Sequence, residues 1–183
     1  MGGTYAEDHM RFVVMGADSD SEETLHGAEA DADALFEAGS SCTEVDVGGE
    51  AIVPSTTACY LLHFNSSLET STYDIDVSGA DHIVIFTEHS PAEFEADTHY
   101  LLTADGDAVE ASHELPADEE DDDAGDDAHA GHDHGGGADE DDHQWEWAGV
   151  FDVLADSAVQ WVGSRERLRD EEFRRVLWTC FVS

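Results

Sequence analysis

The sequence predicts an all-β fold, an antiparallel β-sandwich or open barrel, on three observations. From Cys42 to about Glu110 hydrophobicity alternates with a period of two. The apolar segments there are short, rich in β-branched and aromatic residues, and separated by Gly-Gly, Pro-Ser, Asn-Ser-Ser, Ser-Gly and Asp-Gly signals. No helical period intervenes between them, which excludes alternating β-α units across this stretch.

Residues 1–40 form a poorly patterned N-terminal segment. Within it "RFVVM" (11–15) reads as a strand, and "DSEETLHGAEADADALFEAG" as a helix that begins at an N-cap Ser21 or Asp20 and ends at Gly39. The apolar face of that helix is mostly alanine. The β-domain, 41–162, contains "CTEVDV", "AIV", "ACYLLHF", "STYDIDV", "DHIVIFT", "THYLLT" and "DAVE". In "STYDIDV", Tyr73, Ile75 and Val77 face one way while Asp74 and Asp76 face the other, as in a half-buried antiparallel strand. Residues 117–143 interrupt the pattern with 13 acids, four histidines and nothing that builds a core, so they read as a disordered, solvated insertion. "WEWAGVFDVL" then resumes as a strand with Trp145, Trp147, Phe151 and Val153 on one face, and "AVQWV" follows as its expected hairpin partner. Five of the six arginines lie in the tail 163–183, where Phe173, Val176, Leu177 and Cys180 keep helical spacing.

Length and charge bound the rest. At 183 residues and 40% hydrophobic, the chain builds one core. Its 45 acids stand against six arginines and no lysine, a formal charge of -39. Molar salt, which shortens the Debye length to about 3 Å, removes most of the resulting repulsion, so the composition points to a halophilic setting. Phosphate binding needs clustered cations, which argues against nucleic acid and anionic membranes as partners. The longest apolar runs, "ACYLL" and "HIVIF", fall far short of the ~20 residues of a spanning helix, so no integral membrane segment is expected. The N-terminus as written lacks a cationic n-region and an apolar stretch, which reads as cytoplasmic unless the start lies upstream. Cys42, Cys59 and Cys180 form no CxxC pair; Cys42 and Cys59 read as buried small hydrophobes, with a disulfide between them as the alternative outside the cell.

Two places concentrate chemistry. In "HAGHDHGGGADEDDH", His129, His132, Asp133, His134 and His143 combine imidazoles with carboxylates on a glycine-rich stretch. Imidazole suits borderline ions such as Zn, Cu, Ni and Fe. Solvation alone calls for Asp and Glu and has no use for histidine. In "TEHSPAEFEADTHY", Glu88 and His89 end a strong strand, and Glu93, Glu95 and His99 lie in the same corner. Ligands at the end of a strand are held more rigidly than ligands on a loop. His63 and His82 alternate with strand residues and read as structural, and His9, His26 and His113 have no supporting context. For catalysis the signals are negative: G-x-x-x-x-G-K, G-x-G-x-x-G, H-E-x-x-H and G-x-S-x-G are all missing.

"FTEHSPAEFE", "WEWAGVFDV" and the acidic His-rich insert between them resemble extracytoplasmic metal-homeostasis β-domain proteins that accompany zinc-type transporters, over roughly residues 58 to 162. Similar loops occur in the solute-binding proteins of zinc ABC transporters. The resemblance implies a secreted or surface β-domain, a transporter as partner, and His129, His132, His134, His143 and His89 among the ligands. The N-terminus as written and the Arg-rich tail depart from it. The expected function is non-enzymatic binding, buffering or delivery of a transition metal, zinc before copper, nickel or iron. The alternative is a structural or interaction domain whose acidic loop serves only solubility in salt, and a small hydrolase at the His89 corner ranks third.

Overall fold

The computed structural model describes residues 7–38, 42–94, 99–116 and 143–164. Its elements are β1 (His9–Ala17), α1 (Glu22–Glu37), β2 (Thr43–Asp46), β3 (Tyr60–His63), β4 (Thr70–Asp76), β5 (His82–Thr87), a 3-10 helix (Pro91–Phe94), β6 (Leu101–Thr103), β7 (His113–Leu115), β8 (Trp147–Asp152) and β9 (Ala158–Ser164). They make a six-stranded sheet, β2-β3-β1-β5-β8-β7, and a three-stranded sheet, β4-β9-β6. The fold is mostly β and sandwich-like, with one α-helix among the described residues.

The sequence patterns follow from this layering. β1, β5 and β8 occupy the middle of the larger sheet, which is covered on both faces, so each reads as a nearly continuous apolar run. One face packs on the smaller sheet through Phe12, Val14, Ile83, Ile85 and Phe151, which meet Tyr73, Ile75, Val159 and Trp161. The other face carries Val13, Met15, Val84, Phe86 and Val150 beneath Leu25, Ala32 and Phe36 of α1. β4 covers the sandwich on one side only, and Ser71, Tyr73 and Ile75 are buried while Asp74 and Asp76 are exposed. α1 starts where expected, with the Ser21 hydroxyl accepting from the Thr24 amide at 3.3 Å. Gly149 lies under the Trp147 indole, where an added Cβ would meet the ring at 2.5 Å.

Several expectations are corrected. β8 and "AVQWV" are not hairpin partners: β8 pairs with β5 and β7, whereas β9 pairs with β4 and β6 in the other sheet. Trp145 precedes β8 and turns to the helix side, away from Trp147, Phe151 and Val153. "AIV" contributes only an isolated bridge at Ile52, and β2 runs parallel to β3. β7, around His113, was not anticipated. Cys42 and Cys59 are bonded to each other, just before β2 and just before β3. Gly163 and Ser164 belong to β9, and the remainder of the predicted C-terminal helix, with Cys180, lies outside the described residues.

Candidate metal centre

The β5–β8 ladder ends on the pair Thr87–Trp147, and the Glu146 amide donates to the Thr87 carbonyl at 3.0 Å. This ladder sets Glu146 beside the chain that leaves β5. The buried Thr87 hydroxyl donates to the His89 carbonyl at 2.7 Å and fixes the backbone there. Pro91 and Phe94 are buried and anchor the 3-10 helix, with Phe94 stacked on Phe64 at 4.8 Å. Glu93, on the outward side of that turn, is thereby brought to the same spot.

The result is a group of His89, Glu93 and Glu146 whose ligand atoms all lie within 4.8 Å of one another. His89 Nδ1 stands 3.8 Å from Glu146 Oε2, with the imidazole 25% and the carboxylate 58% exposed. Ligand bonds of ~2.1 Å around a tetrahedral ion set neighbouring donors ~3.4 Å apart, so small side-chain rotations close this group on an ion. One imidazole and two carboxylates leave a fourth position open. The nitrogen donor favours a borderline ion over potassium or magnesium, which prefer oxygen alone.

Of the residues singled out from sequence, His89 and Glu93 belong to this group. Glu88 is instead committed to Arg11, the one arginine outside the C-terminal tail. Arg11 donates to it from the backbone amide at 3.0 Å, from Nε at 3.0 Å and from Nη2 at 2.7 Å. Burial pushes the Glu88 pKa up, but the hydrogen bonds and charge of Arg11, helped by His89, outweigh this and hold it below the ordinary carboxylate value. Arg11 Nη1 also donates to the Phe36 carbonyl of α1 and to Gln144 Oε1, both at 3.0 Å. A carboxylate so neutralised is no ligand for a cation.

His99 Nε2 donates to the Val109 carbonyl at 3.1 Å and lies 3.9 Å from the Glu110 carboxylate. It packs on Tyr100 and stays out of the His89 group. His143 is stacked on Trp145 at 4.5 Å and bonds Asp33 of α1 through Nδ1 at 2.9 Å. His129, His132, Asp133 and His134 lie outside the described residues, as does Glu95. Glu146 was missed because the β5–β8 pairing is not written in any local pattern; its place between two tryptophans at a strand start was the available signal. The chain matches no protein-family model, no curated protein sequence and no solved structure.

Proposed function

We propose that this protein binds a transition metal, zinc before copper, nickel or iron, and buffers or delivers it without catalysing a reaction. The observation that carries the reading is the convergence of His89, Glu93 and Glu146 ligand atoms within 4.8 Å on strand ends and a packed turn. Two of these ligands are exposed carboxylates, an arrangement suited to an ion that must leave again. His129, His132, Asp133 and His134 are assigned to capture, as a further set of imidazole and carboxylate donors on the same chain. The Cys42–Cys59 disulfide supports an extracytoplasmic setting, because thiols stay reduced in most cytosols. There a metal transporter is the natural recipient, and the charge of -39 fits a salt-rich medium.

Calorimetric zinc titration in molar KCl tests the proposal. The wild type is expected to bind, and His89→Ala or Glu146→Gln to weaken the strand-end site by about 10–100-fold. A variant lacking residues 117–143 should keep that site and lose the additional capacity. If the wild type binds no zinc, copper or nickel below about 1 mM, the metal reading is wrong, and the acidic segment serves solubility alone. If the deletion abolishes all binding while His89→Ala changes nothing, the strand-end assignment is wrong.

A further inference from the structure

His9 and His63 are direct cross-strand partners in the antiparallel β1–β3 ladder. Paired residues share a face, so both imidazoles stand on the side of Arg11, Val13 and Met15, opposite the sandwich core. The next strand extends the row, because Asp46 of β2 is the partner of His63 in the parallel β2–β3 ladder, and it too points away from buried Val45. The row lies two residues along β1 from Arg11, whose guanidinium sits 5.4 Å from the ring centre of Phe36 in the last turn of α1. His9 is half-exposed and Asp46 exposed, so the row is open to solutes.

We propose that His9 and His63 form a second, chelating transition-metal site, with Asp46 as the carboxylate at its edge. Metal–nitrogen bonds of ~2.1 Å place an imidazole centre ~3.2 Å from the ion, so two ligating rings are at most ~6.4 Å apart. The two ring centres are 6.4 Å apart, tilted by 43°, which is within reach of one ion after a small rotation inward. His9 Nδ1 meets the Asp8 carboxylate. A carboxylate only accepts, so Nδ1 holds the proton and Nε2 offers its lone pair, the arrangement that makes a ligating imidazole more basic. Neighbouring strands hold both imidazoles in register, so a second nitrogen binds at little further entropic cost. This site shares no ligand with the His89 group and stands or falls without it.

The probe is Cu2+, which binds imidazole more strongly than the other divalent ions of its row. The host is the full chain in molar KCl with alanine at His89, His129, His132 and His134, which removes the strand-end site and the His-rich donors. The expected result is one Cu2+ bound per chain, with a paramagnetic resonance spectrum showing two nitrogen ligands. Adding His9→Ala or His63→Ala should weaken it by on the order of 100-fold, since one arm of a chelate is lost. His9→Ala, at a half-exposed position, keeps the test independent of folding. No Cu2+ binding by the host below about 1 mM overturns the proposal, as does binding that both substitutions leave unchanged.

Discussion

On one face of the six-stranded sheet the contacts are aromatic and buried. Trp161 touches Phe12 at 5.0 Å and Tyr100 at 5.4 Å, and Tyr100 meets Trp147 at 5.4 Å. On the other face an alanine-rich helix supplies only Leu25, Ala32 and Phe36 as buried side chains. Alanine covers little area, and directional contacts supplement it there. Arg11 links β1 to Glu88, to the end of α1 and to Gln144. Asp33 accepts from Trp145 Nε1 at 2.8 Å and holds His143, and the Cys42–Cys59 bond lies in the same layer. The sandwich face therefore depends on packed volume, and the helix face on a few polar and covalent ties that pH and reductant can reach.

The largest effect expected is that of Trp161→Ala, which empties the centre of the sandwich and should cost about 3–5 kcal/mol. Urea unfolding in molar KCl measures it, and a loss below about 1 kcal/mol would erase the contrast between the faces. Reduction of the disulfide comes next. It frees a loop with a sequence separation of 17, and about 3 kcal/mol should be lost, seen as a lower melting temperature with reductant present.

Glu88→Gln is expected to cost about 1–2 kcal/mol at neutral pH, because the pair with Arg11 is only partly shielded from water. The pH dependence has a definite sign. Glu88 is more acidic in the folded protein than in the unfolded chain, so its contribution is complete above the unfolded carboxylate pKa. It disappears as pH falls through the lower folded value, and the wild type and Glu88→Gln should converge in acid. A constant difference between them would show that the tie acts through shape and not through charge. The smallest effect, about 1 kcal/mol, is assigned to Asp33→Asn, which removes the charge accepting from Trp145 and His143. A change in Trp145 fluorescence with little change in the unfolding midpoint would confirm that Asp33 positions the chain entering β8.

Much of the fold was legible where local chemistry decides it. The alternation of "STYDIDV" placed Tyr73 and Ile75 inward, and Ser21 marked the start of α1. The partnership of β8 was not legible, because "WAGVFD" and "AVQWV" are both apolar enough to pair with several strands. In the candidate site His89 was visible as a histidine at the end of an apolar run, whereas Glu88, its neighbour, gave no sign that Arg11 would claim it from 77 positions away.

By itself the sequence determined the β character, the acidic surface and the strand-end position of His89, since these rest on periodicity, composition and the order of neighbouring residues. Only the tertiary structure decided which carboxylates stand beside His89. Glu146 joined His89 and Glu93 because β8 pairs with β5, and Glu88 was withdrawn because β1 lies on the other side of β5. Strand order joins residues distant along the chain, and no local pattern of charge or hydrophobicity records which strand will be the neighbour.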